Sequence, residues 1–242
     1  MKTHEPLLSR TTAIVLALLV ASLFTPASAA PPTPQPQPQE SLQQIFEIEW
    51  SAAPPMPQGM QDNDGGVIDN FLVMAGGFCH GLDDDWKPGK YPRGFLKKAW
   101  ALNLEDESKG WINLPDFPGS ARQEMYGIAV NNEIYLWGGF NYTKPFCYRD
   151  GYKLARKDGQ WNWTELPQLP RACAAGSLAA VESNIYIIGG MDYDSERYYV
   201  WSDRENEIDR FGSRLYRFNV ENPQDGWREL AACPGTPRMM SA

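Results

Sequence analysis

An internal repeat constrains this chain more than any other feature. Four segments begin with a tryptophan, and in each of them a proline follows seven residues later. A pair of glycines comes 26 or 27 residues after three of these tryptophans. The tryptophans are Trp50, Trp111, Trp163 and Trp227, and the glycine pairs are Gly76 with Gly77, Gly138 with Gly139, and Gly189 with Gly190. Self-similarity on this scale predicts structural units that bury their faces against one another.

Each glycine pair closes a short run of β-branched and aromatic residues, at 71–75, 133–137 and 184–188. Such runs, bounded by Asn and Gly, predict buried strands. A second strand and a tight turn precede each run, and an aromatic residue in a third strand stands 11 positions before the next tryptophan: Trp100, Tyr152 and Tyr216. With the tryptophan opening a fourth strand, the sequence predicts four antiparallel strands per unit.

This pattern resembles the kelch repeat, whose four strands form one blade of a β-propeller. The resemblance implies an all-β, kelch-type β-propeller that is incomplete. It has three four-stranded blades, at about residues 60–115, 121–167 and 171–231, an orphan N-terminal strand at 46–50, and the start of a fourth blade. Propellers use at least four blades. We therefore expect the missing blades to come from the rest of the gene or from another subunit.

The first 44 residues predict export. Residues 1–29 have the basic start, the short apolar run and the small-residue end of a signal peptide, and residues 30–44 form a linker rich in Pro and Gln. The propeller would occupy residues 45–242. We expect a secreted or periplasmic protein with no membrane span after signal cleavage. A formal net charge of -8 argues against binding to nucleic acid.

Residues 99–139 also resemble the bacterial sialic acid mutarotases, which are exported six-bladed kelch propellers. The match includes Trp100, Trp111, the segment from Phe117 to Arg122, and the pair at Gly138. This resemblance implies a carbohydrate mutarotase or epimerase. That family's proposed acid and base fall beyond residue 242, so the catalytic residues stay unknown.

One face of the propeller is the candidate ligand site, because the long links between second and third strands lie there. They carry aromatic residues suited to stacking on sugar rings, among them Trp86, Tyr142, Tyr193 and Trp201. Three arginines at the entries to inner strands are suited to a carboxylate: Arg122, Arg171 and Arg238. The alternatives are that the aromatics pack the loops and that the arginines tie neighbouring blades together.

The sequence supports no metal site and no cofactor. After signal removal His80 is the one remaining histidine, and the cysteines lack zinc-site spacing. Cys79, Cys147, Cys173 and Cys233 fall on one predicted face, either in disulfides or as partly buried thiols.

Two functions remain open. The first is a binding module that recognises a carbohydrate or protein ligand through one face. The second is a sialic acid mutarotase-like sugar isomerase. The fold itself decides neither of them.

Overall fold

The computed structural model describes residues 47–79, 94–192 and 212–238. The chain divides into two units, Met1–Trp50 and Ser51–Ala242. The predicted signal peptide and linker lie outside the described residues. Residues 47–50 are exposed and form no strand, so the described part of the predicted orphan strand is not a strand in this structure. A strand needs a neighbour to satisfy its backbone groups, and the three main sheets are built from strands of the second unit.

Three four-stranded antiparallel sheets make up the second unit and confirm the predicted all-β propeller fold. The first sheet joins β1 (Asp64–Ile68), β2 (Phe71–Ala75), β5 (Ala99–Asn103) and β6 (Trp111–Asn113). The second sheet joins β7 (Tyr126–Val130), β8 (Glu133–Trp137), β9 (Gly151–Lys157) and β10 (Gln160–Leu166). The third sheet joins β11 (Ser177–Val181), β12 (Asn184–Ile188), β13 (Leu215–Asn219) and β14 (Trp227–Glu229).

These sheets are blades 1, 2 and 3, and their first strands β1, β7 and β11 lie side by side. A small hairpin of β3 (Phe78–Cys79) and β4 (Gly94–Phe95) extends the link between β2 and β5. Single turns of 3-10 helix occur at Glu107–Lys109 and Pro223–Asp225. No helix among the described residues has the length and apolarity that crossing a bilayer requires.

The glycine pairs join one blade to the next. Both glycines of each pair have positive φ, from 64° to 93°, a conformation that costs other residues free energy. The N–H of the second glycine donates to a carbonyl in the link that follows the blade. The bonds run from Gly77 to Arg122 at 2.8 Å, from Gly139 to Cys173 at 3.0 Å, and from Gly190 to Arg238 at 3.0 Å.

Two of the repeated tryptophans donate side-chain hydrogen bonds to the carbonyls of prolines. Nε1 of Trp111 donates to the carbonyl of Pro54 at 3.0 Å, and Nε1 of Trp163 donates to that of Pro115 at 2.9 Å. Each acceptor stands four residues after the preceding tryptophan of the repeat, so these are not the prolines of the seven-residue spacing. The corresponding proline before blade 3 is Pro167. Its carbonyl accepts from Trp137 of blade 2, at 3.0 Å, and not from the repeat tryptophan of blade 3.

The hydrophobic core lies between blades and not within them. Phe117, from the link after blade 1, packs edge-on against Trp163 of blade 2 with ring centroids 5.6 Å apart. Trp137 of blade 2 packs edge-on against Trp227 of blade 3 at 5.0 Å. Burial of these large rings is the main favourable term that fixes one blade on the next.

Candidate functional site

Three residues with left-handed backbone lie directly before the innermost strands. Asp62, Glu124 and Ala175 have φ of 51°, 51° and 54°. The N–H of Glu124 donates to the carbonyl of Asp62 at 3.0 Å, and the N–H of Ala175 donates to that of Glu124 at 3.1 Å. The three residues therefore occupy equivalent positions in consecutive blades, and we call them the inner rim. Positive φ is uncommon outside glycine and often marks functional segments.

Three carboxyl groups gather at the inner rim. Asp62 and Glu124 belong to it, and Asp64 begins β1 and accepts a hydrogen bond from the backbone N–H of Met125 in the next link. Oδ2 of Asp64 and Oε2 of Glu124 are both buried, and neither accepts a hydrogen bond from the described residues. Buried polar atoms are nearly always hydrogen-bonded in native proteins, and these two oxygens lack such a partner among the described residues.

Two of these carboxyls, those of Glu124 and Asp64, hold protons more tightly than usual. Burial raises the pKa of Glu124 to about 7, and the charge of Asp62 adds to the shift. Burial raises the pKa of Asp64 well above its ordinary value, against the opposing hydrogen bond from Met125, and the charges of Glu124 and Asp62 contribute. Both shifts favour the protonated form of these two carboxyls, and Glu124 titrates near neutral pH.

Arg122 ties two blades together, which is the alternative role that the sequence left open. Its side chain is 0% exposed. Its two terminal nitrogens donate to the two carboxylate oxygens of Asp150 at 2.7 Å, and one of them also donates to the carbonyl of Gly138 at 2.9 Å. The guanidinium also lies 4.0 Å from the ring centre of Tyr148. Arg122 therefore does not face a channel in this structure.

Of the other two predicted arginines, Arg238 is equivalent in position to Arg122 and Arg171 is not. The second glycine of blade 3 bonds to the carbonyl of Arg238, which makes Arg238 the equivalent of Arg122. The equivalent position between blades 2 and 3 holds Cys173, not Arg171, so the three arginines do not form a ring. Arg171 is half-buried, and Arg238 is exposed and lines a cavity of about 220 Å³ with Ser177, Ser213 and Thr236.

The predicted aromatic site is described in part. Tyr142 is 60% exposed and packs edge-on against Phe95 with ring centroids 4.9 Å apart. It also contacts Phe140, whose backbone exchanges two hydrogen bonds with Gln123 beside the inner rim. Tyr142 thus offers an exposed stacking surface. Trp86, Tyr193 and Trp201 lie outside the described residues.

The cysteines are thiols in the structure, not disulfides. Cys79, Cys147 and Cys173 are buried, and Cys233 is partly buried. Cys147 donates to the carbonyl of Met191 at 3.6 Å, and burial raises the pKa of Cys173. Of the two alternatives drawn from the sequence, the structure shows thiols. Among the described residues, no cluster of three or more His, Cys, Asp or Glu side chains is arranged to hold a metal ion.

Sequence reasoning missed the inner-rim carboxyls because it counted from the tryptophans. Asp62 and Ala175 stand 12 residues after theirs, whereas Glu124 stands 13 after Trp111. Counted back from the first glycine of each pair, all three stand at 14 residues. The glycine pair, which is bonded to the next link, therefore aligns equivalent positions of the blades, and the tryptophan does not.

Comparisons with known proteins agree with this fold. No protein-family model matches the chain. The N-acetylneuraminate epimerase of Pasteurella multocida is 30% identical over 155 residues, which cover 62% of this chain and 36% of that protein. A kelch domain-containing protein of Vibrio cholerae is 28% identical over 188 residues, which cover 76% of this chain and 45% of that protein. The chain thus spans less than half the length of these relatives.

A solved structure, "Structure of YjhT", matches with a TM-score of 0.56 at 16% identity. The match covers 78% of this chain and 55% of the other. At this identity the match supports the fold alone. Taken with the repeat and the three blades, it makes this chain a kelch-repeat β-propeller protein that is similar to the N-acetylneuraminate epimerases.

Proposed function

We propose that this chain belongs to an exported sugar isomerase, a mutarotase or epimerase of the N-acetylneuraminate type. The observation that carries the proposal is the similarity to the Pasteurella multocida epimerase over 62% of the chain. Export to the periplasm or the exterior is part of the proposal, because the first 29 residues have the pattern of a signal peptide.

The geometry of the inner rim supports sugar chemistry. Interconversion of anomers requires a proton acceptor for the anomeric hydroxyl and a proton donor for the ring oxygen. Burial raises the pKa of Glu124 to about 7, so this carboxyl at the inner rim can take up or release a proton near neutral pH. The exposed ring of Tyr142 can stack on the apolar face of a sugar. These groups supply contacts for a ligand.

The direct test dissolves one crystalline anomer of N-acetylneuraminate with the purified chain and follows the other anomer by proton NMR. We expect equilibration to be faster than in buffer at the same pH. Equilibration at the buffer rate, together with no heat of binding in calorimetry, would contradict the proposal.

A binding module without catalysis is the second candidate. The Vibrio cholerae relative favours it, because that protein is named for its kelch domain and its name states no activity. On this alternative the calorimeter would register a bound carbohydrate while the NMR exchange rate stayed that of buffer. Binding of a protein but no sugar would indicate a protein ligand.

A further inference from the structure

The side of blade 3 that points away from blade 2 presents apolar side chains. The residues of β12 that pack toward blade 2 alternate with Tyr186 and Ile188, which point the other way. We call this side the open face. Val181, at the end of the first strand, is 58% exposed, whereas Ile68 at the equivalent position of blade 1 is 1% exposed beneath blade 2. The open face thus has apolar surface of the kind that blade 2 buries on blade 1.

Arg238 stands beside the open face and is held at its base in the same way as Arg122. The carbonyl of each arginine accepts from the second glycine of a pair. Nε of Arg122 donates to the carbonyl of Ser120 at 2.9 Å. Nε of Arg238 donates to the carbonyl of Thr236 at 3.1 Å. Each of these bonds reaches back two residues, so the two guanidiniums are anchored alike.

The terminal nitrogens of the two arginines differ in what they contact. Those of Arg122 donate to the carboxylate of Asp150 at 2.7 Å and to the carbonyl of Gly138 at 2.9 Å, both from blade 2. Those of Arg238 have no acceptor among the described residues, and this side chain is exposed on the wall of the cavity of about 220 Å³. A guanidinium fork binds a carboxylate through two parallel bonds. Arg238 therefore presents the donors that Arg122 uses.

We propose that the open face binds a further kelch blade, and that Arg238 selects a blade with a carboxylate directly before its third strand. The contact would repeat the one between Arg122 and Asp150. This surface concerns the assembly of the propeller and is independent of the proposed sugar chemistry.

The residue before the third strand differs in charge among the three blades. The last residue of the second strand pairs with the first residue of the third strand in every blade, so these positions are equivalent. They hold Lys98, Asp150 and Arg214. The link residues that correspond to Arg122 are Met60 before blade 1 and Cys173 before blade 3. An uncharged link residue therefore precedes each blade with a cation, and the arginine precedes the blade with the carboxylate. By this rule Arg238 requires an acid in the blade that it contacts.

A second copy of this chain does not supply that acid. Docking of its blade 1 on the open face would bring Lys98 to Arg238, and two cations repel each other. Blade 1 also has a link of its own in place, because the carbonyl of Pro54 already accepts from Trp111 at 3.0 Å. The occupant is therefore a different blade of the same repeat, with an acid where blade 1 has lysine.

A fusion that supplies such a blade tests the open face. Among the described blades, blade 2 has the carboxylate. A second copy of residues 127–170 is therefore appended to the full chain. The four residues between Arg238 and the appended copy then replace the four that follow Arg122, which keeps the register of the link.

The readout is the rate at which a maleimide labels Cys233. This thiol is partly buried and lines the cavity beside Arg238. Phe117, at the equivalent position of the link after blade 1, is 0% exposed beneath blade 2. We expect labelling of Cys233 to be at least about tenfold slower in the fusion than in the chain alone. Mass spectrometry of the tryptic peptide 229–238 reports this thiol separately from the other cysteines.

Variants of the fusion test the role of charge. Asp150→Lys in the appended copy should return labelling to the rate of the chain alone. Addition of Arg238→Met should restore slow labelling, because this pair repeats the combination of Met60 with Lys98. Glu165→Lys in the appended copy is the matched control, since Glu165 is exposed in β10, and it should leave labelling slow.

Two outcomes would contradict the proposal. Labelling of Cys233 in the fusion at the rate of the chain alone would show that the open face does not bind this blade. Equally slow labelling with aspartate and with lysine in the appended copy would show that Arg238 does not select an acid.

Discussion

Asp150→Asn removes the charge that neutralises a buried guanidinium between blades 1 and 2. In the native protein Arg122 is 0% exposed and makes two bonds of 2.7 Å to the carboxylate of Asp150. Asparagine has almost the same shape, but it carries no charge and offers one acceptor oxygen instead of two. Arg122 remains protonated at any accessible pH, so its charge stays buried without a counter-charge.

The expected loss in the free energy of unfolding follows from the burial of Arg122 and Asp150. Removal of one partner from a fully buried ion pair costs about 3–5 kcal/mol. The side chain of Asp150 is 22% exposed, so water compensates part of the loss, and we expect about 2–3 kcal/mol. Urea denaturation of the full chain measures the change in the free energy of unfolding. The control is Asp116→Asn, which breaks the exposed pair with Lys98 and should cost about 0–1 kcal/mol.

The destabilisation caused by Asp150→Asn should disappear in acid. Burial tends to raise the pKa of Asp150, but the hydrogen bonds and charge of Arg122 outweigh burial and hold this pKa below its ordinary value. A carboxyl whose pKa is lower in the folded state stabilises the protein above its unfolded-state pKa. This stabilisation is lost as the pH falls through the folded-state pKa. The difference between the wild type and Asp150→Asn should therefore narrow in that acidic range. A loss no larger than that of the control at pH 7 would refute the reasoning.

Two further predictions concern the repeat and the inner rim. Gly138→Ala should destabilise the chain by about 2 kcal/mol or more, because φ is 64° there and the added methyl would collide with the carbonyl of Cys173. Gly59→Ala, where the methyl meets no atom within 4 Å, should stay within about 0.5 kcal/mol by the same urea assay. The pKa of Glu124 is raised to about 7 in the folded protein. The contribution of this carboxyl to the free energy of unfolding is therefore complete below its unfolded-state pKa and is lost as the pH rises through 7. The melting temperature of Glu124→Gln should therefore gain on that of the wild type between pH 5 and pH 8, and a constant difference would count against the raised pKa.

The sequence predicted the blades because their determinants are local. Apolar runs that end in two glycines identify β2, β8 and β12, and the tryptophans identify the fourth strands. These signals arise from strand propensity and from backbone conformations that only glycine adopts freely. The tryptophans and prolines were visible in the sequence, but the hydrogen bonds that join Trp111 to Pro54 and Trp163 to Pro115 were not.

The role of the arginines could not be predicted in the same way. Arg171 stands 8 residues after its tryptophan and Arg122 stands 11 after its own, and neither count shows that the links differ in length. The bond from Gly139 identifies Cys173 as the residue equivalent to Arg122. Nor does the sequence show that Asp150, 28 residues away, neutralises Arg122. Pairing across blades depends on packing, which has no local signature.

The inner-rim positions have equivalent backbones in the three blades but carry different side chains. In each blade the main chain of the inner-rim residue is held by bonds that any residue can make, because they involve only N–H and C=O groups. The side chain at that position is therefore free to vary, and it is Asp62 in blade 1, Glu124 in blade 2 and Ala175 in blade 3. A search for repeated residues finds what every blade shares and passes over positions where the blades differ. In a propeller the ligand meets those differing side chains around one axis. The chemistry of such a chain should therefore be sought at positions whose backbone is the same in every blade and whose side chain is not.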